Sequence, residues 1–204
     1  MRRCRAVLIA TLAATAVADA QTQPGQTLSG PALVKALQGG GHVIVMRHAS
    51  SPSEIPDKQS ANPDNVPPER QLDERGRATA MAMGAALRRL KIPIGPVMTS
   101  PTYRARETAR FARLPSPRPT AELGETTQTM QADAAQVKWL QQQVREFPRG
   151  TNTVLITHVP NMSAAFPDTG PAADQGEAFV FGPDGTGGAR LLGRIKIEEW
   201  ANLR

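Results

Sequence analysis

His42-Val43-Ile44-Val45-Met46-Arg47-His48-Ala49-Ser50 is the stretch that decides the fold class. Val43 to Met46 are four consecutive apolar residues. They read as a strand buried on both faces, which marks a parallel sheet covered by helices on each side. The strand runs straight into Arg47 and His48. Ligands of open α/β sheets bind at the carboxyl ends of strands. A histidine there can act as a nucleophile, and an arginine beside it can clamp an anion. His42 starts the strand instead of ending it and reads as structural.

Two further strands end in the same way. Val154-Leu155-Ile156 leads into Thr157-His158, and Val97-Met98-Thr99 leads into Ser100. Ser100-Pro101 reads as an N-cap followed by proline at the first helical position. The helix runs through Tyr103, Arg104, Thr108 and Phe111, with Arg104 in its first turn. A cation is unfavourable there, because a helix N-terminus is already positive. It makes sense if an anion sits in front of it. Arg47, Arg104, His48 and His158 then converge at one edge of the sheet as a cradle for a dianionic phosphate.

The remaining pattern is alternating α and β. Pro31 to Leu37 is a short helix ended by Gly39-Gly40-Gly41. Asp73 to Leu90 is a helix whose expected inner face carries Ala78, Met81, Ala82 and Ala85. Ala132 to Phe147 is amphipathic, with Val137, Leu140, Val144 and Phe147 inside and Trp139 at the margin. Pro160-Asn161 opens a short helix to Phe166. Thr120 to Glu125 is an edge strand or a loop. Ala178 to Phe181 and Leu191 to Ile197 are strands joined by the turn Gly182-Pro183-Asp184-Gly185, hence antiparallel neighbours. Glu198 to Arg204 reads as a tail. Residues 51–70 hold five prolines and almost nothing apolar. Such a length without an element suggests a functional loop, a lid over Arg47-His48, or a plain insertion. The expected architecture is an α/β three-layer αβα sandwich. Its central sheet is mostly parallel, with a C-terminal antiparallel strand pair.

Composition narrows the function. Met1-Arg2-Arg3-Cys4-Arg5 is a basic start, Ala6 to Ala18 is a short apolar run, and Ala18-Asp19-Ala20 is a small-x-small cleavage site. Residues 1–20 therefore read as a signal peptide, residues 21–204 as one domain, and the location as periplasmic or secreted. Stable membrane insertion is not expected after cleavage. The only cysteine is Cys4, so the mature chain has no thiol and no disulfide. The formal net charge is +6; residues 1–20 carry three Arg and one Asp, so their removal leaves +4. No aromatic residue lies between Gln21 and Thr102, so a nucleic-acid stacking platform is absent there. There is no G-x-x-x-x-G-K loop and no serine or cysteine nucleophile elbow.

The site residues resemble those of the histidine phosphatase superfamily, the phosphoglycerate-mutase-like fold, in its branch of small exported phosphatases. Met46-Arg47-His48-Ala49 is similar to that family's Arg-His-Gly/Ala block. Ser100-Pro101-Thr102-Tyr103-Arg104-Ala105-Arg106-Glu107-Thr108-Ala109 is similar to its second-arginine helix, and Thr157-His158 to its second histidine. Gln71-Leu72-Asp73-Glu74-Arg75-Gly76 resembles the turn that opens its first helix. The resemblance implies a phosphomonoesterase with His48 as nucleophile and a phosphohistidine intermediate. It implies that Arg47, Arg104 and His158 hold the phosphate, and that a carboxylic acid protonates the leaving alcohol. Glu125, in Leu123-Gly124-Glu125, is the first candidate acid; Glu122, Asp73 and Glu177 are the others. No metal or other cofactor is expected. The implied partner is a phosphorylated small molecule or phosphosugar, with no nucleic acid, and the oligomeric state is left open. The alternatives are a non-catalytic phospho-ligand binding protein of the same fold and a phosphomutase, although mutases carry larger insertions.

Overall fold

A computed structural model describes residues 27–125 and 132–204. The proposed signal peptide, residues 1–20, lies outside them. The elements run α1 (Gly30–Gln38), β1 (His42–Arg47), α2 (Glu74–Arg89), β2 (Ile94–Thr99), α3 (Tyr103–Ala112), β3 (Arg118–Pro119), α4 (Ala134–Gln143), β4 (Asn152–Thr157), α5 (Val159–Ala165), β5 (Ala178–Pro183) and β6 (Ala189–Ile195). The six strands form one sheet in the order β3-β2-β4-β1-β5-β6. β1, β2, β3 and β4 are mutually parallel where they pair, and β5 and β6 are antiparallel additions beside β1.

The period-2 alternation of a strand divides the core in two. Ile44 and Met46 face one side with Leu33 and Leu37 of α1, Met83 and Leu87 of α2, and Ala105 and Ala109 of α3. Val43 and Val45 face the other side with Leu140 of α4 and Met162 and Ala165 of α5. The result is an αβα sandwich, and β1 is apolar throughout because both of its faces are covered.

The inner face of α2 differs from the expected one. Ala78, Met81 and Ala85 point outward, and Met81 is 48% exposed. Gly76, Ala80, Met83, Gly84 and Leu87 point inward. Apolar periodicity misplaced the stripe because two of the inward residues are glycines, which carry no hydrophobic signal. Both are required by contact. A Cβ on Gly84 would lie 1.9 Å from the Ala112 carbonyl oxygen of α3, and one on Gly76 would lie 2.1 Å from the Ser50 carbonyl oxygen. The helix therefore approaches its neighbours closer than any alanine allows.

Three other expectations change. Thr102, not Ser100, stands at the N-cap of α3 and makes no side-chain cap bond. The Glu69 carboxylate accepts from Tyr103 N instead, at 2.9 Å. The 51–70 loop is thus the cap of α3. It is pinned along that helix by Tyr103 Oη donating to Asp64 at 2.5 Å and by Asn62 Nδ2 donating to Glu107 at 3.0 Å. Thr120–Glu125 begins as a one-turn 3-10 helix, Ala121–Leu123, and the edge strand lies just before it. The C-terminal tail is docked: Glu199–Asn202 forms a 3-10 turn, and Trp200 is 1% exposed in the α1–α3 side of the core. Among the described residues no helix is long and apolar enough to cross a membrane.

Candidate active site

β2, β4 and β1 are consecutive in the sheet and end together, with Arg47 paired to Thr157 and Thr99 to Ile156. The residues just beyond are fixed by their neighbours' carbonyls. His48 N donates to Thr157 O at 3.1 Å, and Ser100 N to Ile156 O at 2.7 Å. The sheet register therefore sets His48, Ser100 and His158 side by side. The first turn of α3 brings Arg104 over them. Thr108, one turn later, accepts from Ala49 N at 3.0 Å and donates to Arg104 O at 2.9 Å, which ties the loop after His48 to the arginine helix.

His48 is buried. Its Nδ1 donates to Ala49 O at 2.8 Å, which leaves Nε2 with the lone pair. Arg104 Nε donates to that Nε2 at 3.2 Å. Burial, then the neighbouring His158, hold the ring well below the usual histidine range, so it is neutral. The two imidazoles meet edge to face, with centroids 5.3 Å apart.

His158 is also neutral. Burial first, and then the Arg104 guanidinium, push it down to about 4. The positive charge of the free site therefore comes from arginines, and His158 adds none. Its Nδ1 lies 3.2 Å from Arg104 Nη2 and 4.0 Å from Glu125 Oε1. Its Nε2 lies 2.8 Å from Ser100 Oγ.

Of the four candidate acids, only Glu125 reaches this group. Arg104 Nη2 donates to its carboxylate in a short ion pair. Burial pushes the Glu125 carboxyl up, but the charge of Arg104 and of its neighbours outweighs this and leaves it below the usual range. Glu122 is exposed on the 3-10 turn. Asp73 caps α2, accepting from Gly76 N at 2.6 Å. Glu177 is held two-pronged by Arg194, 2.8 Å to each carboxylate oxygen, with that guanidinium stacked on Phe179. His42 stands at the far, amino end of β1.

Arg47 leans the other way. Its Nη1 donates to Ala173 O at 3.0 Å, while its buried Nε has no partner among the described residues. A further cation escaped the sequence reading. Arg70 closes the 51–70 loop, donating to Pro52 O at 2.6 Å and Ser51 O at 3.2 Å. Its charge acts on Arg47, Glu125 and His158. Its position just before Gln71-Leu72, in a loop returning to the site, was the available signal. The site thus gathers three guanidiniums, two neutral imidazoles and one carboxylate, a set suited to an anion with a proton to manage. Among the described residues no group of three or more His, Cys, Asp or Glu could hold a metal ion.

The model of the histidine phosphatase superfamily (branch 1) matches residues 43–150. The fold is similar to that of the protein histidine phosphatase SixA complexed with tungstate, at 21% identity and TM-score 0.57, over 76% of this chain and 97% of that one. It is similar to a candidate phosphohistidine phosphatase SixA of Agrobacterium tumefaciens, at 17% identity and TM-score 0.54, over 76% and 98%. It is also similar to a candidate alpha-ribazole-5'-P phosphatase of Escherichia coli, at 14% identity and TM-score 0.51, over 74% and 94%. No curated protein matches the chain.

Proposed function

This chain belongs to the histidine phosphatase superfamily (branch 1), and we propose that it is a phosphomonoesterase working through a phosphohistidine on His48. The state of His48 carries the reading. The ring is neutral, Nδ1–H is committed to Ala49 O, and Nε2 is left as the nucleophile beside Arg104.

The phosphoryl group takes the place of the Glu125 carboxylate on Arg104, and the Arg47 Nε donor and Arg70 complete its cradle. His48 Nε2 attacks phosphorus in line as the bond to the leaving oxygen breaks. Glu125, no longer paired and now beside a phosphate, rises in pKa, takes up a proton that arrives with the phosphate and delivers it to that oxygen. As a carboxylate it then removes a proton from water, whose oxygen displaces Nε2 and releases inorganic phosphate. Arginine charge serves the developing negative charge throughout, so no step needs a metal.

For the substrate we propose a polar phosphate ester such as a phosphosugar. A cavity of about 420 Å³ beside Arg47, walled by Ser50, Arg75, Asp174, Gln175 and Lys196, supports a hydroxyl-rich leaving group. The N-terminal segment supports export, which N-terminal sequencing of the protein recovered from its host would test.

The test is an acid-labile, base-stable phosphoryl label on the protein during turnover of an aryl phosphate, together with a panel of phosphosugars and phosphohistidine. Wild type should turn over and carry the label, and His48→Ala should do neither. Phosphate binding without turnover in wild type would replace this reading by a phospho-ligand binding protein.

A further inference from the structure

His158 touches the phosphate seat through Nδ1 and the protein interior through Nε2. Which nitrogen holds the proton decides what the ring offers a ligand, and the contact with Arg104 decides it. A guanidinium has donors only, so the contact from Arg104 Nη2 at 3.2 Å requires Nδ1 to accept. The inner side can receive that proton. A serine hydroxyl has one proton and two acceptor positions. Ser100 Oγ donates to Thr102 Oγ1 at 3.1 Å and accepts from Thr102 N at 3.2 Å. With Nδ1 accepting from Arg104, the ring proton is on Nε2, which donates to Ser100 Oγ at 2.8 Å. Ser100 is fully buried, and no solvent competes for it.

We infer that Ser100 is a positioning residue: it fixes the proton of His158 on Nε2, so that Nδ1 meets the phosphoryl group as an acceptor and selects its protonated, monoanionic form. This rests on the proposed reading of the site. An unprotonated phosphoryl oxygen opposite that lone pair is repelled, whereas a P–OH is bound. The proton then has a short path. As the P–O–leaving-group bond weakens, the P–OH proton passes to Nδ1, and Glu125 Oε1, 4.0 Å from Nδ1, takes it for the leaving oxygen. No proton is created or lost: the one that arrives on the substrate departs on the alcohol. The groups that face His158 during this are His48 and Arg47 at the end of β1, Arg104 on α3, Arg70 in the loop, and Glu125.

The chain has three histidines, so imidazole ¹⁵N spectra are assignable with a His42→Asn reference. In wild type His158 should show a pyridine-like Nδ1 and a pyrrole-like Nε2. Ser100→Ala should mix the tautomers, and Ser100→Thr should restore the wild-type pattern. Inorganic phosphate should bind wild type more tightly as pH falls through its second ionisation, and Ser100→Ala should lose that preference. Orphaning a donor in a buried site typically costs a factor of about 10 to 100, expected in kcat with KM nearly unchanged. Wild-type tautomers in Ser100→Ala would overturn the inference whatever its activity. Mixed tautomers with unchanged kcat and phosphate preference would overturn it too. The spectra and phosphate titrations need no turnover, so a protein that binds phosphate without hydrolysing it would sink the phosphatase reading while leaving this one tested.

Discussion

The Arg104 guanidinium is closed onto the Glu125 carboxylate in the free protein. The cation that the family resemblance assigns to phosphate is therefore already occupied by the group assigned to proton transfer. A charge-assisted pair of this kind, with Arg104 buried, is worth about 1.5–3 kcal/mol, and a phosphate must displace it. On the proposed reading, Glu125 is both a stand-in for the substrate's charge and the group that the substrate activates.

Glu125→Gln should consequently separate binding from turnover. Tungstate or inorganic phosphate, measured by calorimetry, should bind roughly 10-fold more tightly or better, because the competing carboxylate is gone. Hydrolysis of alkyl phosphates should fall by about 10² to 10⁴-fold, and activated aryl phosphates should be hurt less, with a burst of alcohol as phosphohistidine accumulates. Glu122→Gln, on an exposed side chain, should change neither. Unchanged anion affinity in Glu125→Gln would show that the pair does not guard the site.

Metal removal should leave the enzyme working. Arg47, Arg70 and Arg104 supply the positive charge, so dialysis against chelator should keep turnover within about two-fold. A large loss restored by an added divalent ion would overturn the arginine-based mechanism.

Gly84→Ala tests the close approach of α2 to α3. The new methyl would meet the Ala112 backbone at 1.9 Å, and overpacking of this kind costs about 1–3 kcal/mol. Met81→Ala, on the outer face, should cost less than about 0.5 kcal/mol. Urea melts of the two variants should differ in midpoint, and equal midpoints would mean the inward face is wrongly assigned.

Much of the fold was legible because it rests on apolar strands. Val43 to Met46 and Val154 to Ile156 are continuous apolar runs, and no other element hides both faces of a strand. His48, Arg104 and His158 were legible because each follows such a strand or opens the helix after one. What escaped notice follows a pattern. Gly76 and Gly84 act by lacking a side chain, so hydrophobic periodicity passes over them. Trp200 sits in a stretch with charges on both sides, and only its tertiary docking reveals it. Arg70 lies at the end of a segment with no period to read, and Ser100 was credited with capping a helix although its hydroxyl serves a histidine 58 residues away.

Neutral buried histidines should make stability fall with acid. His158 is held at about 4 against 6.5 in the unfolded chain. Above pH 6.5 both states are neutral and the stability is complete. As pH falls from 6.5 toward 4, the unfolded chain binds a proton that the folded one refuses, so stability is lost, by about 3 kcal/mol at the lower limit. Glu125 is lowered from 4.5, so its own loss begins only as pH falls through 4.5, at the acid end of this window. His158→Gln should flatten the slope of unfolding free energy between pH 6.5 and 4, leaving the share due to His48, which is lowered in the same sense. An unchanged slope would mean His158 is not neutral in the folded state.

The pH dependence of kcat/KM should report the substrate more than the enzyme. In the free site Glu125 is ionised and His158 is neutral with Nδ1 accepting. Neither carries the proton that the leaving oxygen needs, so it must enter with the substrate. A phosphate monoester loses its second proton near pH 6, and above that value the fraction carrying a proton falls tenfold per pH unit. The alkaline limb of kcat/KM should therefore start at the second pKa of the substrate. Aryl phosphates with electron-withdrawing rings lose this proton earlier, and their limb should move to lower pH by the same amount. In Ser100→Ala, where His158 is free to present Nδ1–H to a dianion, the limb should flatten. A limb fixed at one pH for every substrate would assign it to an enzyme group and show that Glu125 or His158 is protonated before the substrate binds.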